Sequence, residues 1–171
     1  MSTDLPESID AWRAVAARRI YAGQVALSRF DRLTASLADS EGSCRFKLSF
    51  EQDSFGTATV AIEADAELPL TCQRTLERFL FPVKIRQLLG LVRNEREEAA
   101  LRSDVEPVLV PGDGELKPLE LVEDELILAL PVVPLSPGSK EVNIESGESD
   151  AAEEPRNNPF AALAALKKQS S

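Results

Sequence analysis

Cys44-Arg45-Phe46-Lys47-Leu48-Ser49-Phe50-Glu51, then Asp53-Ser54-Phe55-Gly56, then Ala58-Thr59-Val60-Ala61-Ile62-Glu63-Ala64-Asp65-Ala66-Glu67: these pieces of one stretch decide the fold. In the first, Cys44, Phe46, Leu48 and Phe50 alternate with Arg45, Lys47, Ser49 and Glu51, so a strand puts the apolar set on one face. In the third, Ala58, Val60, Ile62, Ala64 and Ala66 alternate in the same way. The Asp-Ser-Phe-Gly piece has turn chemistry, which predicts an antiparallel hairpin with one face buried and one solvated. That apolar face needs a cover.

Outward from the hairpin, Leu70–Arg74 follows Pro69 and reads as a separate short edge strand. Phe79–Leu89 reads as a strand; a helix competes, since Leu80, Lys84, Leu88 and Leu91 also line up, but Pro82 would break it. Upstream, Arg19–Val25 predicts a strand, and Leu27–Leu37 a helix with Leu27, Phe30, Leu33, Thr34 and Leu37 on one stripe and Ser28 as its cap. Ile9–Val15 predicts a short helix capped by Ser8. Arg93–Arg102 is charge-dense, a solvated loop or short exposed helix, and Val105–Val110 suits a strand before the turn Pro111-Gly112-Asp113-Gly114.

The cover is expected from Leu119–Leu130. Leu119, Val122, Leu126, Ala129 and Leu130 follow helical spacing, with Glu120, Glu123, Asp124 and Glu125 on the other side. Pro131 stops the helix and leaves Pro131-Val132-Val133-Pro134 as an extended strap. The expected class is α+β, an antiparallel sheet packed against a few helices in one domain, residues 1–134. Residues 135–158 are rich in Ser, Gly, Pro, Glu and Asp, which predicts a flexible acidic linker. Residues 159–168 predict a short terminal helix, with Asn158 as cap, Pro159 at its first position, and Phe160, Leu163 and Leu166 on one stripe. A helix that short needs a surface to lie on: this domain's own core, or a groove on a partner.

Composition narrows the chemistry. The 171 residues carry a formal net charge of −10 and no histidine. The commonest general base and the commonest metal ligand are therefore both missing. Two cysteines, Cys44 and Cys72, are too few for a disulfide framework and read as reduced thiols of a cytoplasmic protein. No run of apolar residues is long enough to cross a membrane as a helix. No Gly-rich phosphate loop appears, and no small-molecule substrate or cofactor is indicated. Glu123, Asp124 and Glu125 are consecutive, so on a helix they diverge instead of converging on a metal. Acidity concentrates in residues 101–171, with 14 acidic and 6 basic residues against 15 and 13 in residues 1–100. Such a tail attracts basic partners or simply adds solubility.

Nucleic acid is the one charged ligand the sequence invites. Arg18, Arg19, Arg29 and Arg32, with Arg13, form one basic group; Arg74, Arg78, Lys84 and Arg86, interleaved with Phe79 and Phe81, form another. On a shared face they could contact RNA phosphates. The alternative is that they pair with acids such as Asp31, Glu63 and Glu77.

The segments Leu70-Thr71-Cys72-Gln73-Arg74, Val122-Glu123-Asp124-Glu125-Leu126-Ile127-Leu128-Ala129-Leu130-Pro131-Val132-Val133-Pro134 and Asn158-Pro159-Phe160-Ala161-Ala162-Leu163-Ala164-Ala165-Leu166-Lys167 occur here in that order. Together, and with the looser Tyr21-x-Gly23, they resemble the YceD family of large ribosomal RNA subunit accumulation proteins. The resemblance implies a non-catalytic factor for accumulation or processing of large-subunit (23S) ribosomal RNA. Its partner would be ribosomal RNA or a large-subunit ribosomal or processing protein. The matching positions Cys72, Arg74, Glu123, Glu125, Pro131, Pro134, Pro159, Phe160, Leu163 and Leu166 become candidates for partner binding. The chain departs from the family at Thr75, where many members have a second cysteine, and at Ser136 to Asn143, which lacks the further cysteines of some members. No metal is therefore expected, and an enzyme or metal protein with an unrecognised site is the alternative.

Overall fold

The structure, a computed structural model, describes residues 5–139. The expected linker beyond Ser139 and the terminal helix with Pro159, Phe160, Leu163 and Leu166 lie outside the described residues. The elements are β1 (Ile9–Asp10), α1 (Ala11–Ala16), β2 (Ile20–Ala26), α2 (Asp31–Thr34), β3 (Ser43–Gln52), β4 (Ala58–Thr71), β5 (Arg78–Val92), α3 (Glu95–Ala99), β6 (Glu106–Leu109), β7 (Glu115–Leu116) and α4 (Pro118–Leu128). The main sheet has the order β2-β3-β4-β5-β6; β1 and β7 form a separate two-stranded ribbon. All pairings are antiparallel except β5 with β6. The fold is α+β, as the alternation requires.

The expected hairpin forms, with a register running from Cys44 opposite Ala66 to Gln52 opposite Ala58. Its turn is fixed by the Asp53 carboxylate, which accepts the N–H groups of Phe55 at 2.9 Å and Thr57 at 2.8 Å. Phe46, Leu48, Phe50, Val60, Ile62, Ala64 and Leu68 are buried on one face. Leu27, Phe30 and Leu33 from the segment after β2, Ala11, Ala14 and Val15 from α1, and Leu121, Val122 and Leu126 from α4 complete that core.

Two prolines explain where the strand readings needed correction. Leu70 is not the start of a separate strand: β4 runs from Ala58 through Pro69 to Thr71. It does so because β3 pairs with β4 only as far as Ala66, so at Pro69 the second side of β4 has no strand to receive an N–H. Its carbonyl instead accepts the Ala38 N–H at 2.8 Å. Pro82 sits inside β5 opposite Glu67, while β6 pairs only with Leu89–Val92, so the same reasoning holds there. The competing helix is excluded.

The helices differ from expectation at their ends: α4 runs Pro118–Leu128 in place of Leu119–Leu130, closing at Ala129 before Pro131, and the two earlier helices start later than predicted. Ile9 and Asp10 pair with β7, and α1 begins at Ala11 with Asp10, not Ser8, as its cap, accepting the Arg13 N–H at 2.9 Å. Leu27–Leu37 is not one helix. A 3₁₀ turn, Leu27–Arg29, gives way to extended Phe30 (φ −98°, ψ 92°) and then α2. The break lets Phe30 bury completely while Leu27 and Leu33 keep their places in the core. Ser28 caps nothing among the described residues; the donors of α2 are met from α4, as described below.

The exit of α1 is unusual. The Arg18 N–H bonds the Val15 carbonyl at 3.0 Å and the Arg19 N–H bonds the Ala14 carbonyl at 2.9 Å, the paired bonds of a Schellman closure. The residue in the left-handed position is Arg18, at φ 48°. Glycine ordinarily takes that place, because a side chain there costs about 1–2 kcal/mol. Leu76 has a similar φ of 59° in the turn after Cys72.

Candidate functional site

Helix α4 carries its apolar residues inward through Leu121, Val122 and Leu126, ends at the cap Ala129, and delivers the chain to Pro131. The strap that follows is held to the turn after β4. The Gln73 N–H donates to the Pro134 carbonyl at 2.9 Å, and the Ser136 N–H donates to Cys72 Sγ at 3.4 Å. The turn itself closes with the Leu76 N–H on the Cys72 carbonyl at 2.8 Å and the Cys72 N–H on the Glu77 carbonyl at 2.9 Å. Its backbone is thus fixed on both sides while its residues after the buried Cys72 are exposed. Val132 is 96% exposed, Val133 52% and Leu128 70%, and Leu76 in the opposing turn is 78% exposed. Apolar groups displayed on an ordered backbone suit recognition, because the ordering entropy has already been spent.

Among the candidate partner-binding positions, the structure brings Cys72, Arg74, Pro131 and Pro134 into this strap and turn. Cys72 is buried beneath the strap and Arg74 is exposed. Glu125 is elsewhere, half-buried, its carboxyl held above the usual carboxylate range by burial and then by Glu106 and Asp124. Val132, Val133 and Leu135 were missed as candidates. Their one signal was two valines between prolines, a segment that can neither continue a helix nor join a ladder fully.

Glu123 corrects the reading of α4 as having a wholly solvated acidic side. It is buried, and its Oε1 accepts the N–H groups of Arg32 at 2.7 Å and Leu33 at 3.0 Å. Its Oε2 accepts from Arg32 Nε at 3.0 Å and pairs with Nη2 at 2.9 Å. Phe30, at the cap position of α2, has no side chain for these donors, so a carboxylate from another helix caps it.

Cys72 has an electrostatic signature. The Ser136 N–H, then the Thr75 hydroxyl and N–H, pull its thiol down to about 5 against the opposing effect of desolvation. Cys44 goes the other way: burial first, then the charge of Asp65, push it up to about 12. The folded value of Cys72 lies below the unfolded one, so its contribution to stability is present above the unfolded thiol value and is lost as pH falls through about 5. A thiolate ultraviolet absorbance titration is expected to show one step near pH 5 that Cys72→Ser abolishes and Cys44→Ala leaves. A step only at the ordinary cysteine value would refute the assignment.

The basic residues do not converge. Arg86 reaches Glu63 and Asp65, each at 3.5 Å, and Lys47 reaches Glu63 at 3.2 Å across the solvated sheet face. Arg78 is held by Asp39 and Glu41, which raises its pKa and lowers that of Asp39. Arg32 is held by Glu123 and Asp124. Lys84 stands opposite Asp65 in the register. The pairing with Glu63 matches the alternative reading of these arginines; Asp31 and Glu77 form no ion pair among the described residues. Arg18, Arg19, Arg29, Arg74 and Lys84 also form no ion pair among the described residues and are exposed. The β2 and β5 groups are separated by two intervening strands, roughly 14 Å at ordinary strand spacing.

The family described as "Large ribosomal RNA subunit accumulation protein YceD" matches residues 60–167, more than half of the chain. The chain belongs to this family. A Haemophilus influenzae relative of the same description is 29% identical over 172 aligned positions, covering 96% of this chain and 97% of the relative. No solved structure matches. The matched stretch of the YceD family takes in Cys72, α4 and the strap, whereas β2 and α2 precede it. No helix among the described residues is long and apolar enough to cross a membrane.

Proposed function

We propose that the chain supports accumulation of large-subunit ribosomal RNA without catalysing a reaction, by holding a ribosomal or processing protein on the strap Pro131–Leu135 and the Cys72–Glu77 turn. One observation carries this reading: a strap hydrogen-bonded to the domain displays Val132, Val133 and Leu135 to solvent. An exposed apolar set on fixed backbone is the kind of surface a protein partner covers. Three of the eight basic residues that could form an RNA face, Arg32, Arg78 and Arg86, are balanced by Glu63, Asp65, Asp39, Glu41, Glu123 and Asp124, and the other five do not gather on one strand, which favours protein over RNA as the direct contact.

The second reading, RNA contact, rests on Arg18, Arg19, Arg29, Arg74 and Lys84, which form no ion pair among the described residues. The double variant Val132→Glu, Val133→Glu decides between them in a cell dependent on this gene. Both sites are exposed, so the melting temperature stays near the parent's. Large-subunit RNA is expected to fall toward the level of cells lacking the gene, and a photo-crosslinker at Val132 is expected to join a ribosomal or processing protein. Normal RNA levels with the folded variant, or a crosslink to RNA alone, would refute the protein-docking reading.

A further inference from the structure

The second edge of the sheet stands apart from this reading. β2 is a terminal strand, and among the described residues nothing pairs with its outer side. The Phe50 N–H bonds the Arg19 carbonyl and the Leu27 N–H bonds the Gly42 carbonyl, so the odd-numbered residues between them turn their backbone groups toward β3. Alternation then points the N–H and C=O of Ile20, Ala22, Gln24 and Ala26 away from the sheet.

Edge strands are ordinarily blunted by charge, proline or shortness. The opposite edge follows that rule: β6 is four residues with Glu106 and Pro107, and the unpaired part of β5 carries Pro82, Lys84 and Arg86. β2 does not. Its seven residues, Ile20-Tyr21-Ala22-Gly23-Gln24-Val25-Ala26, contain no charge and no proline, and Ile20 is 62% exposed. Beside the end of β2 a cavity of about 730 Å³, with an apolar part from Leu5, Pro6, Val25 and Leu119 and a charged part that includes Arg32, Lys117, Glu120 and Glu123, gives room for a side chain from an added strand.

The charges bracket this edge. Arg18 and Arg19 precede it, and Arg29 follows it and lines the cavity together with the acids Glu7 and Asp31. Arg18 occupies the left-handed position that glycine would fill without strain, so its side chain is kept at a structural cost. A second copy is a poor occupant: antiparallel pairing about Gly23 would lay Arg18 and Arg19 of one copy beside Arg29 of the other.

The geometry points to β2 as a strand-addition site for an extended segment of a partner protein, uncharged in its middle and acidic at the end beside Arg18 and Arg19. Backbone bonds to Ile20, Ala22, Gln24 and Ala26 hold it, the apolar part of the cavity beside Val25 takes one side chain, and the arginines set its direction. This site is separate from the strap.

The test uses the full chain and a fluorescent peptide of alternating valine and threonine with two aspartates at one end, compared with the same peptide ending in two lysines. The aspartate peptide is expected to bind at least tenfold tighter, and hydrogen exchange to show new protection at the amides of Ile20, Ala22, Gln24 and Ala26. Ala22→Pro removes one outward N–H without touching the β3 ladder and is expected to weaken binding at least tenfold. Arg18→Gly is expected to raise the melting temperature by a few degrees while weakening the aspartate peptide, which separates lost binding from lost fold. Equal binding of the two peptides, or an undiminished affinity in a folded Ala22→Pro variant, would overturn the proposal. So would concentration-dependent dimers that bury the same amides, or tighter binding of an oligouridylate to the same residues.

Discussion

Replacing Leu126 by aspartate is expected to abolish the cooperative melt of this domain. Leu126 is fully buried where α4 meets the sheet, in one cluster with Phe30, Leu33, Leu48 and Ile62. Removing the leucine alone would cost about 2–5 kcal/mol, as cavity-forming core substitutions do. The aspartate adds an unpaired buried charge, costing several kcal/mol more by ordinary desolvation. Together these reach the lower part of the roughly 5–15 kcal/mol that holds a typical domain folded, enough to unfold a domain of ordinary marginal stability. Leu128→Asp, two residues on, is the internal control. That leucine is largely exposed, so its variant is expected to melt within about 0.5 kcal/mol of the parent, as surface substitutions usually do. If circular dichroism gives Leu126→Asp the parent's melt, the assignment of the core is wrong.

That the core could be named beforehand follows from the strength of two periods. The alternation in Cys44–Glu67 left one sheet face that buries Phe46, Leu48, Val60 and Ile62 together, and the spacing Val122–Leu126 left one face of α4 to cover them. Where reading failed, a tertiary contact had overruled a local signal. Pro69 looks like a strand boundary only if a strand lies on both its sides, and β3 ends before it. Leu27–Leu37 has a helical stripe, yet a 3₁₀ turn and a single helical turn serve Leu27, Phe30 and Leu33 as well, once a remote carboxylate satisfies the donors. The ribbon of β1 and β7 pairs only two residues on each side and leaves almost no pattern to find.

The site was less legible than the fold for a related reason. Cys72 and Pro134 stood out as chemically distinct residues, but nothing local says that residues so far apart in the chain meet through the Gln73 and Ser136 amides. The arginines misled in the opposite direction: charge counts along the chain cannot show that Arg86 lies across the ladder from Glu63, or that Arg78 reaches back to Asp39. The unguarded edge of β2 was visible as seven uncharged residues, but only the strand order shows it to be an edge.

Glu123→Ala is expected to be the most damaging substitution of a charged residue in the described domain. The carboxylate does two jobs. It pairs with the Arg32 guanidinium, and it accepts the N–H groups of Arg32 and Leu33 that open α2, at 2.7 and 3.0 Å. The ion pair contributes the smaller share, because Arg32 is half exposed and keeps Asp124 at 2.6 Å when Glu123 is gone. The two amides have no such substitute, and each donor left unsatisfied costs about 1–3 kcal/mol. An overall loss of about 2–4 kcal/mol follows, or a melting temperature lower by roughly 8–15 °C for a domain of this size. Glu123→Gln keeps an oxygen for the amides and is expected to lose about half as much. Arg32→Ala separates the two jobs, since its own backbone N–H stays bonded to Glu123: it is expected to cost less than Glu123→Ala, and the double variant to match Glu123→Ala closely. Equal losses in the two single variants would show that the ion pair, and not the capping of α2 by another helix, holds this corner together.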